Sequence, residues 1–160
     1  MRFVFKIWQI SLAPVLAVGT QFLTLPSTAQ ELAIGSHPTS YYSSSINPAL
    51  YNAPKNNPKF SISRSTWFGG ASNSHISYNQ RFKTRSLHLR IDYTGLSDIE
   101  LRENKPVDEP LAYFSAFGLS ATIGFSYETV KRSYGFSFSK IQMGIFNQSA
   151  DGYTLGGGYL

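Results

Sequence analysis

The side chains best suited to chemistry in this sequence are three histidines, His37, His75 and His88, with the serines and carboxylates around them. No two of the histidines have the close spacing of a metal pair. The chain has no cysteine, so it can form no disulfide, thiol nucleophile or cysteine-based zinc site. Ser86, His88 and Asp92 would share one face of a strand, but alternate residues there stand about 6.6 Å apart, too far for a proton relay. Asp98, Glu100, Glu103, Asp108 and Glu109 lack EF-hand spacing and are mixed with Arg102 and Lys105, as in a solvated loop. Gly156-Gly157-Gly158 lacks the strand-to-helix setting of a phosphate loop. The expectation is a protein that is not an enzyme and takes no cofactor or metal. Its net charge of +5 falls to +3 without the leader's Arg2 and Lys6, which does not suit a nucleic-acid partner. One charged constellation remains. Arg64, Arg81 and Arg90, with Asp92 and Glu128, would form an ion-paired ladder if all five faced one enclosed interior, where it would set what passes or hold an inner segment in place.

Those residues need strands to position them. The chain has 160 residues, 42% apolar and only 14% charged, with 15% aromatics and 13 glycines, a mix that suits sheet rather than helix or disorder. From Phe60 onward apolar and polar residues alternate with period two. Leu87, Leu89, Ile91 and Tyr93 share one face, and Ser86, His88, Arg90 and Asp92 the other. Ile76, Tyr78 and Phe82 oppose His75, Ser77, Asn79 and Arg81. Tyr113, Phe117, Leu119, Ala121, Ile123, Phe125 and Tyr127 oppose Gly118, Ser120, Thr122, Gly124, Ser126 and Glu128, with Phe114 out of phase. Phe60, Ile62, Thr66 and Phe68 alternate with serines and Trp67, Arg64 being the misfit. Tyr134, Phe136 and Phe138 stand in one register and Ile141, Met143 and Ile145 in the other, which predicts a bulge near Lys140. Tyr153, Leu155 and Tyr159 complete a sixth strand. Turns are expected at 69–73, 83–85, 102–110, 129–132 and 147–152, so the fold is an antiparallel, up-and-down all-β meander.

The first 29 residues read as an address. Arg2 and Lys6 precede an uncharged apolar stretch from Ile7 to Leu25, and Ser27-Thr28-Ala29 supplies small residues for cleavage before Gln30. An uncleaved membrane anchor is the competing reading.

The polar strand faces carry Ser, Gly, Asn, His and Arg rather than the Lys and Glu of a water-facing sheet, which fits a confined lumen. Aromatics cluster near the strand ends on the apolar face, as girdles do. The 14 steps from Tyr113 to Tyr127, at about 3.3 Å each and a tilt near 45°, project to roughly 33 Å, enough to span a bilayer core. An exported chain of this kind fits a bacterial outer-membrane β-barrel facing outer-membrane lipid, with every backbone group paired between strands. Eight strands are the usual minimum, so about six make an incomplete barrel, 60–160. A secreted soluble β-sandwich used for adhesion is the alternative.

Between 30 and 59 alternation stops, and prolines, serines and Asn47-Pro48-Ala49 mark compact irregular structure. A Ser/Tyr-rich stretch followed by Asn47-Pro48-Ala49, just ahead of a Ser-rich aromatic strand, resembles the PorV/PorQ family, a FadL-like group of outer-membrane proteins. Similar too are a third strand leading to an acidic loop, Ile91-Asp92-Tyr93 through Ile99-Glu100, and Phe114-Ser115-Ala116 opening the next strand. The resemblance spans most of 31–160. It departs from the family in the reduced Ala33-Ile34-Gly35 stretch and in the missing C-terminal strands. It implies that 30–59 is a small hatch inside the barrel. It also implies a part in type IX secretion, with secretion-system subunits or secreted cargo proteins as partners. Hatch-gated passage of hydrophobic small molecules is the other role open to such a fold.

Overall fold

The computed structural model describes residues 25–33, 47–51, 59–102 and 109–160. The leader's charged and apolar regions, His37, Glu103, Asp108 and the stretches 34–46 and 52–58 lie outside the described residues.

Six strands form one antiparallel sheet in chain order: β1 (Lys59–Thr66), β2 (Ser72–Phe82), β3 (Arg85–Leu101), β4 (Ala112–Glu128), β5 (Ser133–Ile145) and β6 (Gln148–Tyr159). The sheet is an up-and-down meander and is not closed, because β1 and β6 are not paired with each other. Among the described residues three short elements accompany it, the helix α1 (Ala29–Ala33) and two 3-10 turns, Pro48–Leu50 and Phe68–Gly70.

Period two decides the faces. On β4 the even positions Gly118, Ser120, Gly124 and Ser126 are buried while Tyr113, Ile123, Phe125 and Tyr127 are exposed. Cross-strand register carries the same faces across the sheet, with Leu89 opposite Ile123, Ile123 opposite Phe138 and Phe138 opposite Leu155. The result inverts the usual order of a soluble domain. His75 and His88 are each 2% exposed and Asn73 3%, whereas Leu155 is 73% exposed and Phe60 62%.

Three expectations need correction. No bulge occurs near Lys140, since the β4–β5 and β5–β6 registers run unbroken through it. Unbroken alternation therefore turns Ile141, Met143 and Ile145 onto the polar face, opposite Ser120, Gly118 and Ala116, and leaves Lys140 outward among aromatics. The bulge lies in β3 instead, between Leu96 and Ile99, where Asp98 adopts φ +59°. The expected turn at 147–152 shrinks to Phe146 and Asn147, because Ile145 already pairs with Gln148. Phe146 takes φ +55° there, a conformation normally left to glycine, so composition gave no warning of so tight a turn. Finally, Phe68 belongs to the turn after β1 rather than to the strand.

Candidate functional site

Asn47-Pro48-Ala49 builds a capped turn before it builds a site. The Asn47 side chain accepts a hydrogen bond from the Ala49 N–H at 3.0 Å, and Leu50 N–H donates to the Asn47 carbonyl at 3.0 Å. Proline suits the first position of the turn because its fixed φ matches and its missing N–H has no partner to lose there. The turn then seats on the polar face of the sheet against β4, β5 and β6. Ala49 is fully buried, Leu50 and Tyr51 nearly so, and the Ser133 hydroxyl donates to the Ala49 carbonyl at 2.7 Å.

Three glycines make the seat. A Cβ at Gly124 would fall within the Tyr51 ring, one at Gly135 on the Pro48 carbonyl, and one at Gly158 on the Asn47 side chain and Ala49 nitrogen. Their lack of a side chain lets the segment approach the backbone directly. Tyr51 lies flat on the His88 ring, with centroids 4.2 Å apart and planes 12° apart. Its phenol bonds to Ser137, and burial raises the phenol above its ordinary pKa, so it remains neutral.

A second contact lies beside it. Thr28 caps α1 through a 3.1 Å bond from Glu31 N–H, and the Glu31 carboxylate accepts from Ser27 N–H at 2.9 Å, a close variant of a capping box. Arg90 reaches this unit from β3: its guanidinium bonds Glu31 at 3.1 Å and Ser27 Oγ at 2.9 Å while holding Asp92 at 2.5 and 3.2 Å. Asp92 also accepts from His75 Nδ1 at 2.8 Å, and Ser77 Oγ lies 3.1 Å from the other ring nitrogen. His88 Nδ1 bonds to Asn79.

The expected arginine ladder divides. Arg90 and Asp92 form the buried centre just described, and Arg81 pairs separately with Glu128 at 2.5 Å. Arg64 joins neither. It is exposed on the opposite face with Phe60 and Ile62, because each is two positions from the next along β1. His75, His88 and Asp92 are brought together, but only His75 and Asp92 are bonded to each other, and the buried His88 Nε2 has no protein hydrogen-bond partner. Ser86 shares their face and is not bonded to them. Among the described residues, no three His, Asp or Glu side chains group as a metal site.

Among the described residues, two cavities open on the polar face. One of about 220 Å³ is lined by Asn73, Arg90, Asp92, Ser120, Thr122 and neighbouring hydroxyls, and the Asn73 side-chain oxygen there has no protein partner. The other, of about 680 Å³, lies toward the β5–β6 turn and is lined by Leu25, Leu96, Ala116, Met143, Ile145 and Ala150 among others, so it is largely apolar.

Sequence reading missed Ser27 and Glu31, the glycine seat and the apolar cavity. The first was legible as Thr28-Ala29-Gln30-Glu31, a capping-box spacing. The second had a signal in glycines at alternate positions, Gly156 and Gly158, on a polar strand face.

The class that fold and site define is a six-stranded antiparallel sheet whose polar face holds two short N-terminal segments and whose apolar face is bare among the described residues. No family model, curated protein or solved structure matches the chain.

Proposed function

We propose that this chain forms part of the wall of a bacterial outer-membrane β-barrel and that its N-terminal segment is a hatch seated in the lumen. The observation that carries this reading is the inverted sheet. Large apolar side chains stand exposed on all six strands, far beyond the few hundred Å² of apolar patch that a soluble monomer usually shows, while histidine, asparagine and serine are buried opposite. A lipid-facing barrel needs this distribution, and a water-soluble sandwich needs its reverse. Among the described residues nothing covers the apolar face.

Resemblance to PorV/PorQ proteins supports a role in type IX secretion, in which the barrel works with translocon subunits or secreted cargo. The seated Asn47–Tyr51 turn supports the same reading, since it holds the motif on which that resemblance rests. Fractionation of the bacterial envelope tests it: the chain should require detergent for release and co-purify with cargo or translocon subunits. Recovery from the aqueous supernatant would refute it.

A second reading is favoured by one observation, the 680 Å³ apolar cavity on the otherwise polar face. Passage of hydrophobic small molecules needs such a resting place. Uptake of a lipophilic fluorescent probe by liposomes bearing the protein, without any cargo protein, would favour transport over secretion.

A further inference from the structure

Residues 25–33 straddle the Ala29–Gln30 bond, at which the small residues Ser27 and Ala29 suggest leader cleavage, yet they are folded as one unit. Ser27 is the most connected of them: its N–H donates to Glu31, its hydroxyl accepts from Arg90, and its carbonyl accepts from Ser63 Oγ at 2.5 Å. Ser27 and Glu31 are 7% and 4% exposed. Thr28 supplies both the cap for Glu31 N–H and the carbonyl that takes the Leu32 N–H at 3.0 Å. Cutting after Ala29 would remove every one of these bonds except the Arg90–Glu31 pair. It would also place a new ammonium group next to Glu31, where it competes with Arg90. A buried Arg90–Asp92–Glu31 cluster that loses its hydroxyl and backbone partners in this way is costly.

We infer that signal peptidase cuts upstream of Leu25, at the Gly19–Thr20 bond, and that Leu25 to Ala33 stays on the mature chain as a strap held to the sheet by Arg90. The leader's own sequence agrees. Cleavage there leaves Ile7 to Leu16 as the apolar core, 10 residues against the 19 from Ile7 to Leu25. A leader core normally runs about 7–15 residues. Ala17 and Gly19 then supply the small side chains at the third and first positions before the cut. The mature protein is 10 residues longer than cleavage before Gln30 would make it.

The inference rests on the export reading, and one experiment separates the two. The full chain is expressed in a bacterium with an outer membrane, and the envelope-bound product is sequenced from its N-terminus and weighed intact. A chain beginning at Thr20 is expected. A chain beginning at Gln30 overturns the inference and leaves export standing, whereas one beginning at Met1 overturns both. Two variants guard against secondary trimming. Gly19→Tyr should abolish processing and accumulate the precursor, whereas Ala29→Tyr, at an exposed position of α1, should be cut as the parent is. The opposite pattern overturns the inference.

Discussion

Gly135→Val should unseat the Asn47–Tyr51 turn while leaving the sheet intact. The new side chain points from β5 into the polar face, where even its Cβ overlaps the Pro48 carbonyl and Ala49 nitrogen. Both are backbone atoms of a proline-stiffened turn, so the turn must lift as a body. Overpacking of this sort costs about 1–3 kcal/mol. At 1.4 kcal/mol per factor of ten, the unseated population rises about 5- to 150-fold. The seat itself is worth several times the lower figure: burying Leu50 contributes about 1.5–3 kcal/mol. Stacking of Tyr51 on His88 adds about 0.5–1.5 kcal/mol. Because the chain has no cysteine, Leu50→Cys supplies a single thiol at a 5% exposed site, and its rate of maleimide labelling in detergent reads the open state. Labelling should accelerate by that factor in Gly135→Val. Gly157→Val, on the bare face with nothing near its added Cβ, should leave the rate unchanged. Equal rates in the two variants would refute the glycine seat.

Three further outcomes follow from the same geometry. Arg90→Met strands Asp92 and Glu31 without their shared cation and should cost about 3–5 kcal/mol in denaturant unfolding. Arg64→Met should cost almost nothing, and equal losses would contradict their placement on opposite faces. Lys140 stands outward beside Ala121 and Tyr153, so Lys140→Leu should stabilise the bilayer-reconstituted protein by up to about 2–4 kcal/mol. An exposed position on a soluble sheet would show a change within about 0.5 kcal/mol. Met143→Asp puts a carboxylate into the apolar cavity and should weaken binding of a lipophilic probe, while Gln142→Asp on the other face should not.

The strands were legible because alternation is a local property of the chain. The β4 pattern from Tyr113 to Glu128 could be read almost residue by residue. The end of β5 was not, because Ile141, Met143 and Ile145 look like a change of register. Only their long-range pairing with β4 shows that the polar face itself turns apolar toward one end. The same reason hid the site. Asn47-Pro48-Ala49 announces a turn, but that Gly124, Gly135 and Gly158 on three different strands receive it is a fact of register. Glu31 reaches Arg90 across 59 positions of sequence, a contact no periodicity encodes. Arg64 shows the converse: its charge suggested an interior partner, yet simple alternation already placed it with Phe60 and Ile62.

The central claim, that the apolar face meets lipid, is tested most directly by a spin-label scan along β4 from Leu119 to Ser126 in the reconstituted chain. Collision with lipid-dissolved oxygen should alternate with period two, high at Leu119, Ala121, Ile123 and Phe125 and low at Ser120, Thr122 and Ser126. If the first set were shielded from oxygen, or the chain stayed in the aqueous phase, a lipid-facing wall would be contradicted.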